Sequence, residues 1–302
     1  MLEKNQELEV EICAYASEGQ GIARVDGFVV FVPFAIVGEK VKIHIIKVTK
    51  SFAVGKILEV VEPSKERVEP KCKHFYKCGG CSIQHMSYAC QLEFKKQIVQ
   101  DALQKLGGFE NVKVEDVVSS DKMFKYRNKS AFPLCVDENG KLRVSMYKGM
   151  SHNAIYIDEC PITNDTNMKI AFAFQKIANE FFNSLKKDFV HLVIRTIENK
   201  SLITVVTRKH IKNAKVMFEA LKNQLSLSEN DFGLFECIKK TDNNVILDGE
   251  ISHLFGLENI DFDVLGIKAS VSPMSFFQVN LDIMKKIYKQ VNQLVSGEIV
   301  VD

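Results

Sequence analysis

Three cysteines fall within one short stretch of this 302-residue chain, Lys71-Cys72-Lys73-His74-Phe75-Tyr76-Lys77-Cys78-Gly79-Gly80-Cys81. Thiolates so close together, with two glycines that let the backbone wrap tightly, have the type and spacing of metal ligands. Soft thiolate sets select iron–sulfur clusters or zinc. Spacing alone leaves both open, because four cysteines that include a Cys-x2-Cys pair also match a structural zinc site. Two cysteines compete for the fourth ligand position: Cys90, which is nearer in sequence, and Cys160, which precedes Pro161. Cys13, Cys135 and Cys237 lie in apolar strand patterns, where cysteine behaves as a small hydrophobe, so none of them is read as a nucleophile.

A second group of residues suits nucleic acid. Tyr126-Arg127-Asn128-Lys129 mixes an aromatic ring, two cations and an amide, as single-stranded RNA requires for stacking and phosphate pairing. An exposed strand edge guarded by Lys explains the same residues equally well. Lys95, Lys96, Lys105, Lys113, Lys122 and Lys125 lead up to this stretch and make either a phosphate-binding strip or a solvated face. By pattern alone, Phe276 and Phe277 are core residues and Gln278 caps a turn. Gly19-Gln20-Gly21 is a hairpin turn and not a dinucleotide fingerprint, since Arg24 stands where the third glycine belongs.

The elements that must position these residues follow from periodicity. Segments 7–13, 21–25, 28–32, 40–48 and 53–60 alternate apolar with polar, which predicts a small OB-type barrel, a fold that often binds oligonucleotides. Pro63 and Pro70 bracket a charged linker. A helix is expected over 88–106, ended by Gly107-Gly108, followed by a β-rich stretch over 112–157. Helices at 167–185 and 213–225 alternate with strands at 190–197, 201–207, 232–239 and 244–248, giving an α+β domain. A helix over 281–294 leads into Glu298-Ile299-Val300-Val301-Asp302, which reads as a buried parallel strand reaching its carboxyl end. A lone strand buries nothing, so the rest of a sheet is expected to follow and the chain is expected to be a fragment.

Composition bounds less. Forty Lys and Arg against 38 Asp and Glu give a net charge of +2, which excludes no partner class. No apolar run approaches the ~20 residues of a membrane span, and the charged start is unlike a leader peptide. The cysteines are expected to be reduced or metal-bound in the cytoplasm of the cell, and the chain to be a monomer.

The run Cys72-x5-Cys78-Gly79-Gly80-Cys81-x2-Gln84-His85-x2-Tyr88-x2-Gln91-x3-Lys95, followed by Leu106-Gly107-Gly108, resembles the cluster loop of the SAM-dependent RNA uracil-5-methyltransferases, and within them the iron–sulfur ribosomal RNA branch. Tyr126-Arg127-Asn128-Lys129 with Phe132-Pro133 is similar to that family's central strand. Ser151-His152 through Ile157-Asp158-x-Cys160-Pro161 is similar to the segment that brings its fourth cluster ligand. Ser272-Pro273-x-Ser275-Phe276-Phe277-Gln278-Val279-Asn280 is similar to the approach to its catalytic domain.

The resemblance implies a multidomain protein: a TRAM barrel at 1–62, a central α+β domain at 63–270 and the first elements of a Rossmann-like α/β methyltransferase domain at 271–302. It implies a 4Fe-4S cluster, structural in role, held by Cys72, Cys78, Cys81 and Cys160. It also implies S-adenosyl-L-methionine contacted by Gln278, a flipped base near Phe276, and 23S ribosomal RNA contacted by Tyr126, Arg127 and Lys129. In that family a cysteine thiolate adds to uracil C6, C5 takes the methyl group, and a carboxylate then removes the C5 proton. The thiolate and the base are expected beyond Asp302, so this chain alone is expected to be inactive. The rivals are a non-catalytic RNA-binding iron–sulfur protein and, less well supported, a cluster carrier.

Overall fold

Alternation in the first sixty residues puts every second side chain on one face. The computed structural model, which describes residues 2–296, folds these segments into one curved sheet. Strands β1 (Glu7–Glu11), β2 (Ala14–Tyr15), β3 (Gly21–Val25), β4 (Phe28–Val32), β5 (Lys40–Val48) and β6 (Phe52–Glu62) pair in the order β1-β5-β6-β4-β3-β2. Register shifts along the β5–β6 pair let these long strands bend around the core. Inside lie Val10, Ile12, Val30, Val41, Ile43 and Ile45, all drawn from the alternating segments. The β2–β3 connection is the expected hairpin. Gly19 sits there at φ +86°, and a Cβ at that position would come within 2.5 Å of Ile83. Glycine is thus required both for its conformation and for its lack of a side chain.

The stretch after β6 is more tightly held than a linker. Glu39 is fully buried and accepts from Arg67 Nε at 2.5 Å and Nη2 at 2.6 Å, from the Ile36 amide at 2.8 Å and from the Ser64 amide at 3.2 Å. Arg67 Nη2 also donates to the Phe34 carbonyl at 2.8 Å, across a residue whose φ is +66°. Val68 bonds back to the His85 carbonyl, and Ser87 to that of Glu66. Phe34, Phe75, Tyr76 and His85 then pack ring on ring, with centroid separations of 5.0–6.0 Å. Helix α1 (Tyr88–Asp101) is N-capped by Ser87 and buries Phe94 against Tyr15. Its expected final turn is π-helical over Ala102–Leu106, and Leu106 is left exposed. The barrel, the cysteine loop and α1 therefore lie together in one compact unit, Met1–Ser119; a second unit is Ser120–Asp302.

Residues 112–128, the first eight of which close the first unit, carry no strand. Then follow β7 (Lys129–Val136), β8 (Leu142–Tyr147), β9 (Ala154–Tyr156), α2 (Asp165–Phe181), β10 (Phe189–Ile197), β11 (Lys200–Thr207), α3 (Ala214–Leu225), β12 (Phe232–Lys239) and β13 (Gly249–Gly256). Seven strands pair in the order β13-β12-β11-β10-β7-β8-β9. The β11–β12 pair is parallel because α3 supplies the crossover that parallel pairing needs. Helices α2 and α3 bury Ile170, Phe174, Ile177, Met217 and Leu221 on one sheet face. Residues 244–248, expected as a strand, form an irregular segment whose Ile246 and Leu247 pack beside Val193, Val206 and Cys237. A hairpin of β14 (Ile260–Val264) and β15 (Ile267–Val271) precedes α4 (Leu281–Leu294), which Asn280 caps. The strand expected at 298–302 lies outside the described residues. Among the described residues no helix is long and apolar enough to cross a membrane.

Burial pushes the Glu39 carboxyl up, but its bonds from Arg67, Ile36 and Ser64 outweigh burial and hold it below the ordinary glutamate value of 4.5. A carboxyl depressed in the folded state stabilises fully above its unfolded value and loses that stabilisation as pH falls through its folded value. Arg67→Met strands the buried carboxylate and is expected to cost about 3–5 kcal/mol at neutral pH by chemical denaturation. An unchanged denaturation midpoint would contradict this reading of the pair.

Candidate nucleic-acid interface

The Tyr126–Lys129 stretch runs into β7, which pairs with β10 over Lys129–Pro133 and with β8 over Leu134–Val136. β10 takes up one side of β7 here, with Lys129 opposite Arg195. Arg127 is half-buried and bridges Thr163 on one side and Asn280 on the other. Asn128 is 3 % exposed and holds four partners. Its amide donates to the Val279 carbonyl at 2.9 Å and its Nδ2 to the Gln278 carbonyl at 2.9 Å. Its own carbonyl accepts from the Thr196 amide at 2.8 Å and from Asn167 Nδ2 at 3.1 Å. Asn167, buried in the first turn of α2, also accepts from Thr196 Oγ1 at 2.6 Å, and Thr196 is linked to Ser201. This polar network ties the start of β7 to α2, β10 and β11, with Asn128 Oδ1 buried and without a partner among the described residues.

The network carries the turn 272–280 by its backbone. Ser272 and Ser275 bond to each other through amide and hydroxyl groups. Arg195 Nη2 donates to the Ser275 carbonyl at 2.6 Å, and Asn128 holds the carbonyls of Gln278 and Val279. Phe277 turns inward and packs edge-on against Phe262 at 5.3 Å. Phe276 turns outward and is 86 % exposed, and Gln278 is also exposed. The two phenylalanines thus differ: Phe277 is core, as its pattern implied, and Phe276 is not.

Positive charge gathers beneath this turn. Arg195 is 2 % exposed, and its Nε and Nη1 have no hydrogen-bond partner among the described residues. Burial lowers its pKa, and burial together with Arg195 lowers that of Lys129. Lys129 and Arg195 face each other on neighbouring strands, where like charges are unfavourable. Sequence reasoning missed Arg195. Its signal was a lone charge inside the otherwise apolar run Leu192-Val193-Ile194-Arg195-Thr196-Ile197.

The cysteine loop occupies the first unit. Cys72, Cys78 and Cys81 are half-buried. Gln84 spans two of them: its Oε1 accepts from the Cys72 amide at 3.3 Å and its Nε2 donates to Cys81 Sγ at 3.4 Å. The Gly80 amide points at Cys78 Sγ at 3.3 Å. N–H groups aimed at sulfur suit thiolates that carry negative charge. Cys160 belongs to the second unit and sits in a turn where its carbonyl accepts from the Thr163 amide at 3.1 Å. Among the described residues no three His, Cys, Asp or Glu side chains converge on a single metal-ion position. Cys90 Sγ lies 3.7 Å from Tyr15 Oη, with burial raising its pKa. Cys13 is exposed in the bend between β1 and β2 instead of lying in a strand, Cys135 is half-buried on β7 and Cys237 is buried on β12.

A TRAM domain model matches residues 2–58. The chain is 35 % identical over 288 residues to an uncharacterized RNA methyltransferase of Clostridium tetani, covering 92 % of this chain and 62 % of that protein. It is 32 % identical over 312 residues to one of Clostridium acetobutylicum and 30 % identical over 313 residues to one of Staphylococcus epidermidis, covering 100 % of this chain and 68 % of each. The chain thus spans less than two thirds of the length of the first relative and about two thirds of the others. The crystal structure of Pyrococcus abyssi tRNA (uracil-54, C5)-methyltransferase in complex with S-adenosyl-L-homocysteine shares the fold. Its TM-score is 0.70 at 22 % identity, over 96 % of this chain and 66 % of that one.

Proposed function

The chain belongs to a family of RNA methyltransferases, and we propose that it serves the S-adenosyl-L-methionine-dependent 5-methylation of uridine in 23S ribosomal RNA. The observation that carries this reading is the turn 272–280, pinned by its carbonyls so that Phe276 and Gln278 project outward. Phe276 offers a ring face to a base drawn out of its stack, an interaction every base can make. Gln278, two residues along, is this chain's residue for holding the methyl donor, which supplies an electrophilic methyl group when bound. Tyr126 stacks on an unpaired base, and Arg127 and Lys129 pair with phosphates, fixing register without reading sequence. The TRAM barrel adds affinity for the same RNA.

Cys72, Cys78, Cys81 and Cys160 are assigned to one 4Fe-4S cluster of structural role. The donor set suits it: four cysteines are the usual ligation, and the Gly80 amide and Gln84 Nε2 already point at two of the sulfurs. Cys90 is set aside because its thiol is turned to Tyr15.

Two measurements test these assignments. In cells lacking the gene, nucleoside mass spectrometry of 23S ribosomal RNA is expected to show loss of 5-methyluridine, with transfer RNA unchanged. Loss confined to transfer RNA would move the substrate, and no loss at all would favour a non-catalytic RNA-binding protein. For the cluster, Cys160→Ser is expected to abolish bound iron and sulfide in anaerobically purified protein while Cys90→Ser retains both. The reverse result would sink the ligand assignment.

A further inference from the structure

The parallel pair β11–β12 places the carboxyl ends of two strands side by side, the position at which α/β sheets receive ligands. Arg208, Lys209, His210 and Lys212 leave the end of β11, and Lys240 leaves the end of β12. With Glu250 they line a cavity of about 490 Å³. Most of the acids nearby are already engaged. Arg208 pairs with Asp242 at 2.7 Å and Lys209 with Asp188 at 3.1 Å. Glu236, 4 % exposed, takes His210 Nδ1 at 2.8 Å and the Ile211 amide at 2.9 Å. These pairs hold the basic segment in place. Lys212 and Lys240 are exposed and have no ion-pair partner among the described residues.

The cavity stands at the other end of the strands from the Phe276 turn. Arg195, which holds that turn, is opposite Leu202, and the cavity begins just past Thr207, five residues further along β11. At roughly 3.3 Å per residue that is about 17 Å, the rise of about five stacked nucleotides. A row of separate cationic side chains suits a polyanion. Residues 208–212 contain no glycine, so they do not form the backbone cradle that grips a single phosphate. Apart from the half-buried Leu185 and Ile238 the lining offers little for a lipid surface.

We propose that this cavity is a second RNA-docking site, which takes phosphodiester groups of the strand whose target base meets Phe276. The proposal rests on the RNA-methyltransferase reading above. It assigns Lys212 and Lys240 as direct phosphate contacts, with Arg208 and Lys209 extending the track.

The test is Lys212→Gln/Lys240→Gln in the same chain, with binding of a fluorescent 23S ribosomal RNA fragment followed by anisotropy across a salt series. Both side chains are exposed, so the fold is retained. Each lost phosphate contact on single-stranded RNA lowers the slope of log affinity against log salt by about 0.7, so the pair lowers it by about 1.4 and weakens binding at every salt concentration. Lys212→Arg/Lys240→Arg restores both slope and affinity. Unchanged slope and affinity in the Gln variant, with wild-type binding intact, would overturn this site alone. Absence of RNA binding by the wild-type chain would overturn the underlying reading as well.

Discussion

Asn128 joins two segments 150 residues apart in sequence. Its amide and Nδ2 hold the turn 272–280, while its carbonyl is held by Thr196 and Asn167. Each bond contributes only about 1 kcal/mol net, yet leaving a buried partner unsatisfied costs about 1–3 kcal/mol. The network therefore rigidifies by what would be lost if it opened. Because it grips carbonyls and not side chains, Phe276 and Gln278 are left free to meet ligands.

The first unit follows the same logic with charges. A fully buried carboxylate is tolerable at Glu39 because a two-pronged guanidinium and two amides satisfy it. That pair ties the segment after β6 to the barrel. The Phe34, Phe75, Tyr76 and His85 rings continue the attachment into the cysteine loop. His85 is fully buried, and burial, aided by Arg67, lowers its pKa to about 4, so it packs there as a neutral ring. The cysteines thus stand on a rigid support.

Much of this was legible in sequence, for local reasons. The alternating segments marked the barrel strands, and the helix expected over 281–294 is α4. The β14–β15 hairpin escaped because its two-residue turn is Leu265-Gly266, with both residues at positive φ. That geometry favours Asn-Gly, and Leu hides it. Val245-Ile246-Leu247 misled because a short apolar run has no period to separate a strand from a loop that packs down. Lys129 was ambiguous for another reason: its cross-strand partner Arg195, on β10, is 66 residues away in sequence. The Phe276–Gln278 motif was visible as residues, but its anchoring by Asn128 and Arg195 is tertiary and leaves no local trace.

The account stands on the turn 272–280 being where RNA meets this chain. The most direct measurement is photo-crosslinking of ribosomal RNA carrying 4-thiouridine, with the crosslinked peptides identified by mass spectrometry. The account predicts adducts on the peptide containing Phe276. Adducts confined to the barrel, with none on that peptide, would contradict it.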